Sequence, residues 1–168
     1  MLIKILMALI FCTSALAKPT DAHLVRGQGK TIFNKTSELK AGDFVSTNEG
    51  VVQLNVNPQL QVNLGKNSMI KIVGATSVEL IRGLAKVQVK KNKNVTQLVN
   101  LKDVSFSSKE GFFKVIKTQD GAELDVIQGE VMASSPLIQT FVPEIVAAKE
   151  GFRFSRLKKQ FTRRKFKI

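Results

Sequence analysis

Hydrophobic and polar residues alternate along "VVQLNVNPQLQVNL", residues 51–64. Apolar side chains recur at every second position and Asn or Gln fill most positions between them; the apolar set is Val52, Leu54, Val56, Leu60, Val62 and Leu64. This period of two predicts strands with one buried and one solvated face. Pro58 lacks an amide donor, so it marks either an edge position or the junction between two strands. The amide-rich outer face suits solubility and also suits sugar binding.

Similar runs follow along most of the chain, at "SMIKIV" (68–73), "LAKVQVKK" (84–91), "VTQLVNL" (95–101), "DVSFSS" (103–108), "GFFKVIK" (111–117) and "AELDVI" (122–127). Turn signals separate them at "NEG" (48–50), "LGKNS" (64–68), "KNKN" (91–94) and "QDG" (119–121). No long helical pattern lies between these runs. The pattern therefore predicts an all-β fold, either a two-layer sandwich, a roll or a short β-solenoid of many short strands.

Two segments resemble each other internally, "IRGLAKVQV" (81–89) and "IQGEVMAS" (127–134). Each has an apolar residue, a spacer, a Gly and then a β run. We expect Gly83 and Gly129 to supply a bulge or tight bend at which a strand turns a corner. A repeated corner of this kind is typical of a two-layer or coiled β architecture.

The first residues predict export from the cytoplasm. "MLIKILMALIFCTSALA" combines Lys4, a short apolar run and small residues at Ala15 and Ala17, which is the layout of a signal peptide spanning residues 1–17 and cleaved after Ala17. A lipoprotein signal centred on Cys12 is the alternative, but bulky Phe11 stands where a small residue is wanted. The expected remainder is one domain: an N-terminal extension at 18–23, a β domain at 24–152 and a basic tail at 153–168.

Chemistry for catalysis or metal binding is sparse. Cleavage removes the only Cys and leaves His23 as the only His, so zinc or iron sites built on imidazole and thiolate are not expected. No phosphate-binding loop or dinucleotide fingerprint is present. The acids are scattered, and Glu123 and Asp125 alternate with apolar residues as on an ordinary outer strand face. We expect a protein that is not an enzyme and that needs no cofactor or metal.

The excess of positive charge in the chain indicates that the protein works in an anionic environment. The chain has 26 Lys and Arg against 13 Asp and Glu, a net charge of +13. The C-terminal segment contains no acid, and its candidate residues for binding an anionic surface are Arg153, Arg156, Lys158, Lys159, Arg163, Arg164, Lys165 and Lys167. In one interpretation it is an amphipathic helix that anchors the protein to anionic lipid or wall polymer. In the other, "FRF" (152–154) completes the last strand, a Phe packs on the domain, and the rest is a frayed end.

The ordered series of β features resembles the FecR-like domain, the extracytoplasmic part of iron-dicitrate-type sigma regulators. The resemblance covers roughly residues 24–152, through "LKAGDFVSTNEGVVQLNV", "LGKNSMIKI", "LIRGLAKVQV" and "EGFFKVIKTQDGAELDVIQGEVMAS". The sequence differs from the family pattern at Glu110, next to Gly111, where the family has a Gly-Thr pair. We also expect it to work without the cytoplasmic segment and membrane helix of the family. The architectural positions that the resemblance implies are Gly42, Asp43, Asn67, Ser68, Gly83, Gly111, Phe113, Val115, Gly129 and Val131.

What the resemblance implies is a stand-alone periplasmic or envelope module that binds a partner. Our first hypothesis is a non-enzymatic module that binds an anionic envelope component or an envelope protein, with the basic tail as an electrostatic anchor in peripheral contact with the membrane. The alternative is a soluble regulatory partner of a periplasmic receptor or sigma-regulator component. Nucleic acid is the least favoured partner, because the chain contains no Trp or Tyr for base stacking.

Overall fold

The structure, a computed structural model, describes residues 22–28, 31–32, 38–91, 96–138 and 143–165. The expected signal peptide at 1–17 lies outside these residues. Within them the fold is all-β and contains no helix, as the alternating pattern predicts. None of the described residues forms a helix of the length and apolar character that a membrane crossing requires.

The described residues form fifteen strands: β1 (Ala22–Gln28), β2 (Thr31–Ile32), β3 (Glu38–Leu39), β4 (Phe44–Thr47), β5 (Val51–Asn55), β6 (Leu60–Leu64), β7 (Met69–Gly74), β8 (Ser77–Val89), β9 (Gln97–Leu101), β10 (Val104–Ser108), β11 (Gly111–Lys117), β12 (Gly121–Ser134), β13 (Glu144–Ala147), β14 (Glu150–Ser155) and β15 (Gln160–Lys165). Pro58 lies in the loop between β5 and β6, which was one of its two expected positions. His23, expected near a loosely structured end, is paired in β1 with Asn55 of β5.

The strands form two sheets that share β8 and β12. The first sheet has the order β3-β1-β5-β6-β8-β11-β12-β14-β15 and is antiparallel throughout. The second has the order β2-β4-β7-β8-β9-β10-β12-β13, with β8 and β9 parallel. Because β8 and β12 belong to both sheets, β8, β11, β12, β10 and β9 close into a small barrel. Closure leaves these five strands without a free edge.

The two longest strands change sheet at a glycine. In β8 the buried positions switch from Val78 and Leu80 to Ala85, Val87 and Val89, so their parity changes at the corner. Ile81 is skipped in the pairing with β7 just before Gly83, and Gly83 has a positive φ of 81°. In β12, Ile127 is skipped in the pairing with β11 just before Gly129, whose φ is 80°. The corners predicted at the two glycines are therefore present, and the internal repeat corresponds to two equivalent bulges.

Apolar residues from both sheets enter one hydrophobic core. Its largest fully buried side chains are four Phe residues together with Leu and Ile; the Phe residues are Phe106, Phe113, Phe152 and Phe154. Phe152 and Phe154 come from β14, within the segment where the sequence analysis placed the change from domain to tail. The core therefore extends into the C-terminal strands.

Candidate functional site

The positions implied by the family resemblance build the scaffold. Asn67 has a φ of 52° and precedes Ser68, whose fully buried hydroxyl accepts a hydrogen bond from Leu84 N at 2.9 Å, next to the Gly83 corner. Gly42 has a φ of 99° in the turn before β4, where the Asp43 carboxylate accepts a hydrogen bond from Lys40 N at 2.8 Å. The remaining positions lie in β11 and β12, where Phe113, Val115 and Val131 are buried and Gly111 pairs with Gly129.

A second buried serine, Ser108, makes hydrogen bonds at the other corner, next to Gly129. The Ser108 hydroxyl lies 2.8 Å from the carbonyl oxygens of Glu110 and Glu130, on either side of the Gly129 bend. Sequence reasoning missed Ser108. Ser108 and Ser68 lie at different sequence distances from their corner glycines, so the spacing gave no signal.

The basic C-terminal segment is folded as strand, turn and strand through residue 165 rather than as a helix. Residues 151–155 of β14 pair with β12, and β15 pairs with β14 along its whole length. Phe161 of β15 contacts Phe152 and Phe154, with ring centroids 5.6 and 5.4 Å apart. The amphipathic helix is therefore wrong for the described residues. The other interpretation is right about the strand at 152–154 and the packed Phe, but its frayed end is wrong through residue 165, because β15 pairs with β14. Phe166 and Lys167 lie outside the described residues, and the side chain of Lys165 is likewise not described.

Four arginines of this segment pair with acids of the domain. Arg153 and Arg164 both contact Glu123, and Arg164 also reaches Asp125 at 2.7 Å. Arg163 lies 3.1 Å from Glu144 and 3.6 Å from Glu150, and Arg156 lies 3.5 Å from Asp103. These contacts partly neutralise the arginines, so less of the segment's positive charge is available to an external anion than its composition suggests.

Asp125 is the most enclosed acid of this network, since its side chain is only 4% exposed. Lys114 of β11 approaches one carboxylate oxygen to 2.6 Å, and Arg164 of β15 approaches the other to 2.7 Å. Burial of a carboxyl group so far from water is costly unless it is paired in this way. The two cations therefore connect β11 and β15 through β12.

Lys158 and Lys159 of the basic segment lie at the turn between β14 and β15. Arg156, Leu157, Lys158 and Lys159 form the tip between β14 and β15, and we call them the hairpin tip. Leu157 is 84% exposed, and Lys158 and Lys159 have no ion pair within the described part of the chain. Asp120 supports the tip, because its carboxylate accepts hydrogen bonds from Ser155 Oγ at 2.6 Å and Leu157 N at 3.1 Å. The hydroxyl of Ser155, then the Leu157 amide, lower the pKa of Asp120 below its usual 3.8.

The outer face of the second sheet carries an uncharged row, which we call the apolar row. Its members are in-register partners on five adjacent strands: Ser77, Leu98, Ser107, Met132 and Ile145. Met132 and Ile145 are 37% and 54% exposed and pair directly with each other. An open depression of about 440 Å³ lies beside them. The row itself carries no charge in a chain of net charge +13, although Lys109, Glu110 and Glu130 also line the depression beside it.

The apolar row was not predicted from the sequence. Its members come from five separate strands, and each is an ordinary residue of its own segment. The available signal was an apolar residue at a position where the alternation requires a polar one, as at Leu98 and Met132.

The described residues also contain no group of three or more His, Cys, Asp or Glu side chains that could hold a metal ion.

Comparison with known proteins bears on the fold. No family model matches the chain, and no curated protein matches it. Two crystal structures of a proposed anti-sigma factor from Parabacteroides distasonis match with a TM-score of 0.61 each, at 15% and 16% sequence identity. Each match covers 73% of this chain and 59% of the solved chain, so the chain spans about three fifths of the length of these proteins. The chain therefore shares its fold with proteins described as proposed anti-sigma factors.

Proposed function

We propose that this protein is a FecR-like β module that works outside the cytoplasm as a regulatory, non-enzymatic binding partner of another protein. The similarity of its fold to a proposed anti-sigma factor supports this proposal. The ordered series of turn and corner residues, including Gly42, Asn67, Gly83 and Gly129, supports the family assignment, because each takes the backbone conformation that such a position needs. A signal peptide at 1–17 would deliver the module to the periplasm or envelope.

The observation that carries a protein-binding role is the apolar row. Met132 and Ile145 expose apolar surface beside a depression, and Ser77, Leu98 and Ser107 continue the uncharged strip across the sheet. The centres of protein interfaces are depleted of charge and enriched in residues such as Met. A sigma-regulator component or the signalling domain of a receptor is the partner that the fold similarity favours.

Affinity purification after cross-linking in native cells tests this role. We expect the wild-type protein to retain a receptor or sigma-regulator component, and the double variant Met132→Glu and Ile145→Glu to lose it. Val51→Glu is the matched control, because Val51 is 47% exposed and lies on the first sheet. The role is wrong if no such partner is retained, or if the double variant and the control retain it equally.

A second candidate function, an envelope anchor, is favoured by one observation at the hairpin tip. Leu157 projects into solvent between cationic residues, and Lys158 and Lys159 are unpaired within the described residues. A Lys near an anionic lipid surface contributes about 1 kcal/mol, and an inserted Leu adds to it. This anchor has fewer residues than the eight-residue set predicted from the sequence, because arginines that are paired with acids of the domain contribute less to binding an anionic surface.

Co-sedimentation with phosphatidylglycerol-containing vesicles tests the anchor. We expect binding at low salt that is lost at high salt and falls by about tenfold or more in the variant Lys158→Gln and Lys159→Gln. Leu157→Ser should weaken binding without changing charge. Lys102→Gln and Lys109→Gln, both at exposed sites elsewhere, form the matched control. Equal losses in tip and control variants would mean that net charge alone is responsible, and the tip would not be an anchor.

Export from the cytoplasm, which the signal peptide predicts, can be tested directly. Mass spectrometry of the mature protein from envelope fractions should find an N-terminus at Lys18. A chain that keeps Met1 in the cytosolic fraction would contradict the extracytoplasmic part of the proposal.

A further inference from the structure

The outer face of the first sheet carries a line of side-chain amides that continues onto an aromatic ring. Asn55 of β5 pairs with Gln61 of β6, Gln61 with Gln88 of β8, Gln88 with Phe112 of β11, and Phe112 with Gln128 of β12. We call these five residues the amide row. Neighbouring strands are about 4.8 Å apart, so the row crosses the sheet in regular steps.

These amides are available to a ligand. All of them are at least partly exposed, and within the described residues they make no hydrogen bond to another side chain. The outer face of the second sheet differs in this respect. There Asn100 approaches Ser77 Oγ at 3.4 Å, and Ser105 and Ser134 share a hydrogen bond of 2.8 Å.

Phe112 places an aromatic ring within the row, between Gln88 and Gln128. It lines an open depression of about 230 Å³ together with Gln88 and Gln128. A larger depression of about 510 Å³ lies further along strands β5, β6 and β8 and is lined by Gln53, Asn63 and Lys86 among others, but by no member of the row.

The five residues of the amide row carry no charge, which limits the class of ligand that they can bind. Lys86, Lys90 and Lys91 line the two depressions, but they are not members of the row. A ligand of the row itself is therefore recognised by hydrogen bonds and ring packing and not by ion pairing. The interior strands of the row are hydrogen-bonded on both sides, which excludes the addition of a peptide as a further strand. A ligand must therefore be recognised by side chains alone.

We propose that the amide row binds an uncharged, extended glycan lying across the strands. Each amide offers both a donor and an acceptor, which matches the hydroxyl and acetamido groups of a sugar. The ring of Phe112 offers a flat apolar surface on which the C–H face of a sugar ring stacks. The repeat between strands is close to the length of one sugar unit in an extended chain, so successive side chains meet successive units.

Isothermal titration calorimetry of the purified full chain with chitohexaose, cellohexaose and maltohexaose tests the site. We expect one or more of these neutral hexasaccharides to bind. The variant Gln61→Ala and Gln88→Ala should weaken that binding by about tenfold or more, since two hydrogen bonds are removed. Phe112→Leu should weaken it while Phe112→Tyr preserves it, because only the Tyr variant keeps the ring.

Gln160→Ala is the matched control, as Gln160 is an exposed amide on β15 outside the row. It should bind like the wild type. The proposal is overturned if none of the three hexasaccharides binds, or if the row variants and the control bind equally. Binding of anionic polygalacturonate alone would also overturn it, because attraction to the basic surface would then account for binding.

Discussion

At the residue scale, two corners organise the fold, and each combines a glycine with a buried serine. Gly83 and Gly129 have nearly equal φ values of 81° and 80°, and Ser68 and Ser108 satisfy the backbone groups that the bends leave unpaired. An unpaired buried polar group would cost about 1–3 kcal/mol. The serines therefore make the corners compatible with a closed core.

Gly83→Ala should destabilise the protein by about 2 kcal/mol or more. The added Cβ would meet Ser68 Cα at 2.6 Å and Asn67 O at 2.8 Å, and the positive φ would be strained as well. Urea denaturation followed by far-UV circular dichroism measures the change. Gly74→Ala, where a Cβ would meet nothing within 4 Å, is the control and should change stability little. A similar small change in both variants would mean that the first corner is not constrained.

Asp120 should titrate below its usual pKa of 3.8, chiefly because it accepts a hydrogen bond from Ser155. A carboxyl whose folded-state pKa is depressed stabilises the fold fully above its unfolded pKa, and this contribution is lost as the pH falls through the folded value. We expect Ser155→Ala to raise the pKa of Asp120 towards 3.8, measured by NMR titration of the carboxyl carbon. An unchanged pKa in this variant would contradict the assigned cause.

At the element scale, the β14–β15 hairpin is an integral part of the first sheet. Its strands are paired in register with β12 and with each other, and its arginines reach acids on β12 and β13 and beside β10. Most of these ion pairs are exposed, so each contributes modestly. Packing of Phe161 against Phe152 and Phe154 is the stronger contribution.

Phe161→Ala should lower the free energy of unfolding by about 2 kcal/mol, because it removes a ring that covers two core Phe residues. Leu157→Ala on the same hairpin should change it by less than about 0.5 kcal/mol, since Leu157 is 84% exposed. Thermal and urea unfolding of both variants make the comparison. If Phe161→Ala were as stable as Leu157→Ala, the segment would behave as a loose tail and not as a strand.

At the scale of the whole molecule, the two sheets cannot separate without breaking β8 and β12. Each of these strands contributes one half to each sheet, and the buried residues of both halves belong to one core. The parallel pair β8–β9 closes the barrel. Such an arrangement favours loss of both sheets in a single transition.

Unfolding should therefore be a single cooperative transition. Far-UV circular dichroism and native-state hydrogen exchange should give the same free energy, with amides of β8 and β12 among the most protected. Exchange that reports one sheet opening well before the other would contradict the shared-core interpretation.

Much of the fold could be predicted from local sequence. The runs at 51–64, 68–73, 95–101, 103–108 and 111–117 coincide closely with observed strands, because the period of two is a property of neighbouring residues. The runs at 84–91 and 122–127 correspond to only one half each of the longer strands β8 and β12, because only the packing of two sheets shows that the chain continues through the bend. The strands β13 and β15 were not predicted, because "EIVA" is short and "QFTRRK" is dominated by charge.

By itself, the sequence determined the all-β character, the inward and outward alternation, the corner glycines and the excess of positive charge. These follow from steric and hydrophobic preferences within a few residues. Only the tertiary structure decided that β8 and β9 pair in parallel, that the arginines of the last strands meet Glu123 and Asp125, and that the apolar row and the amide row each lie across one sheet. Those arrangements join residues far apart in the chain, and their partners are chosen by packing of the whole core.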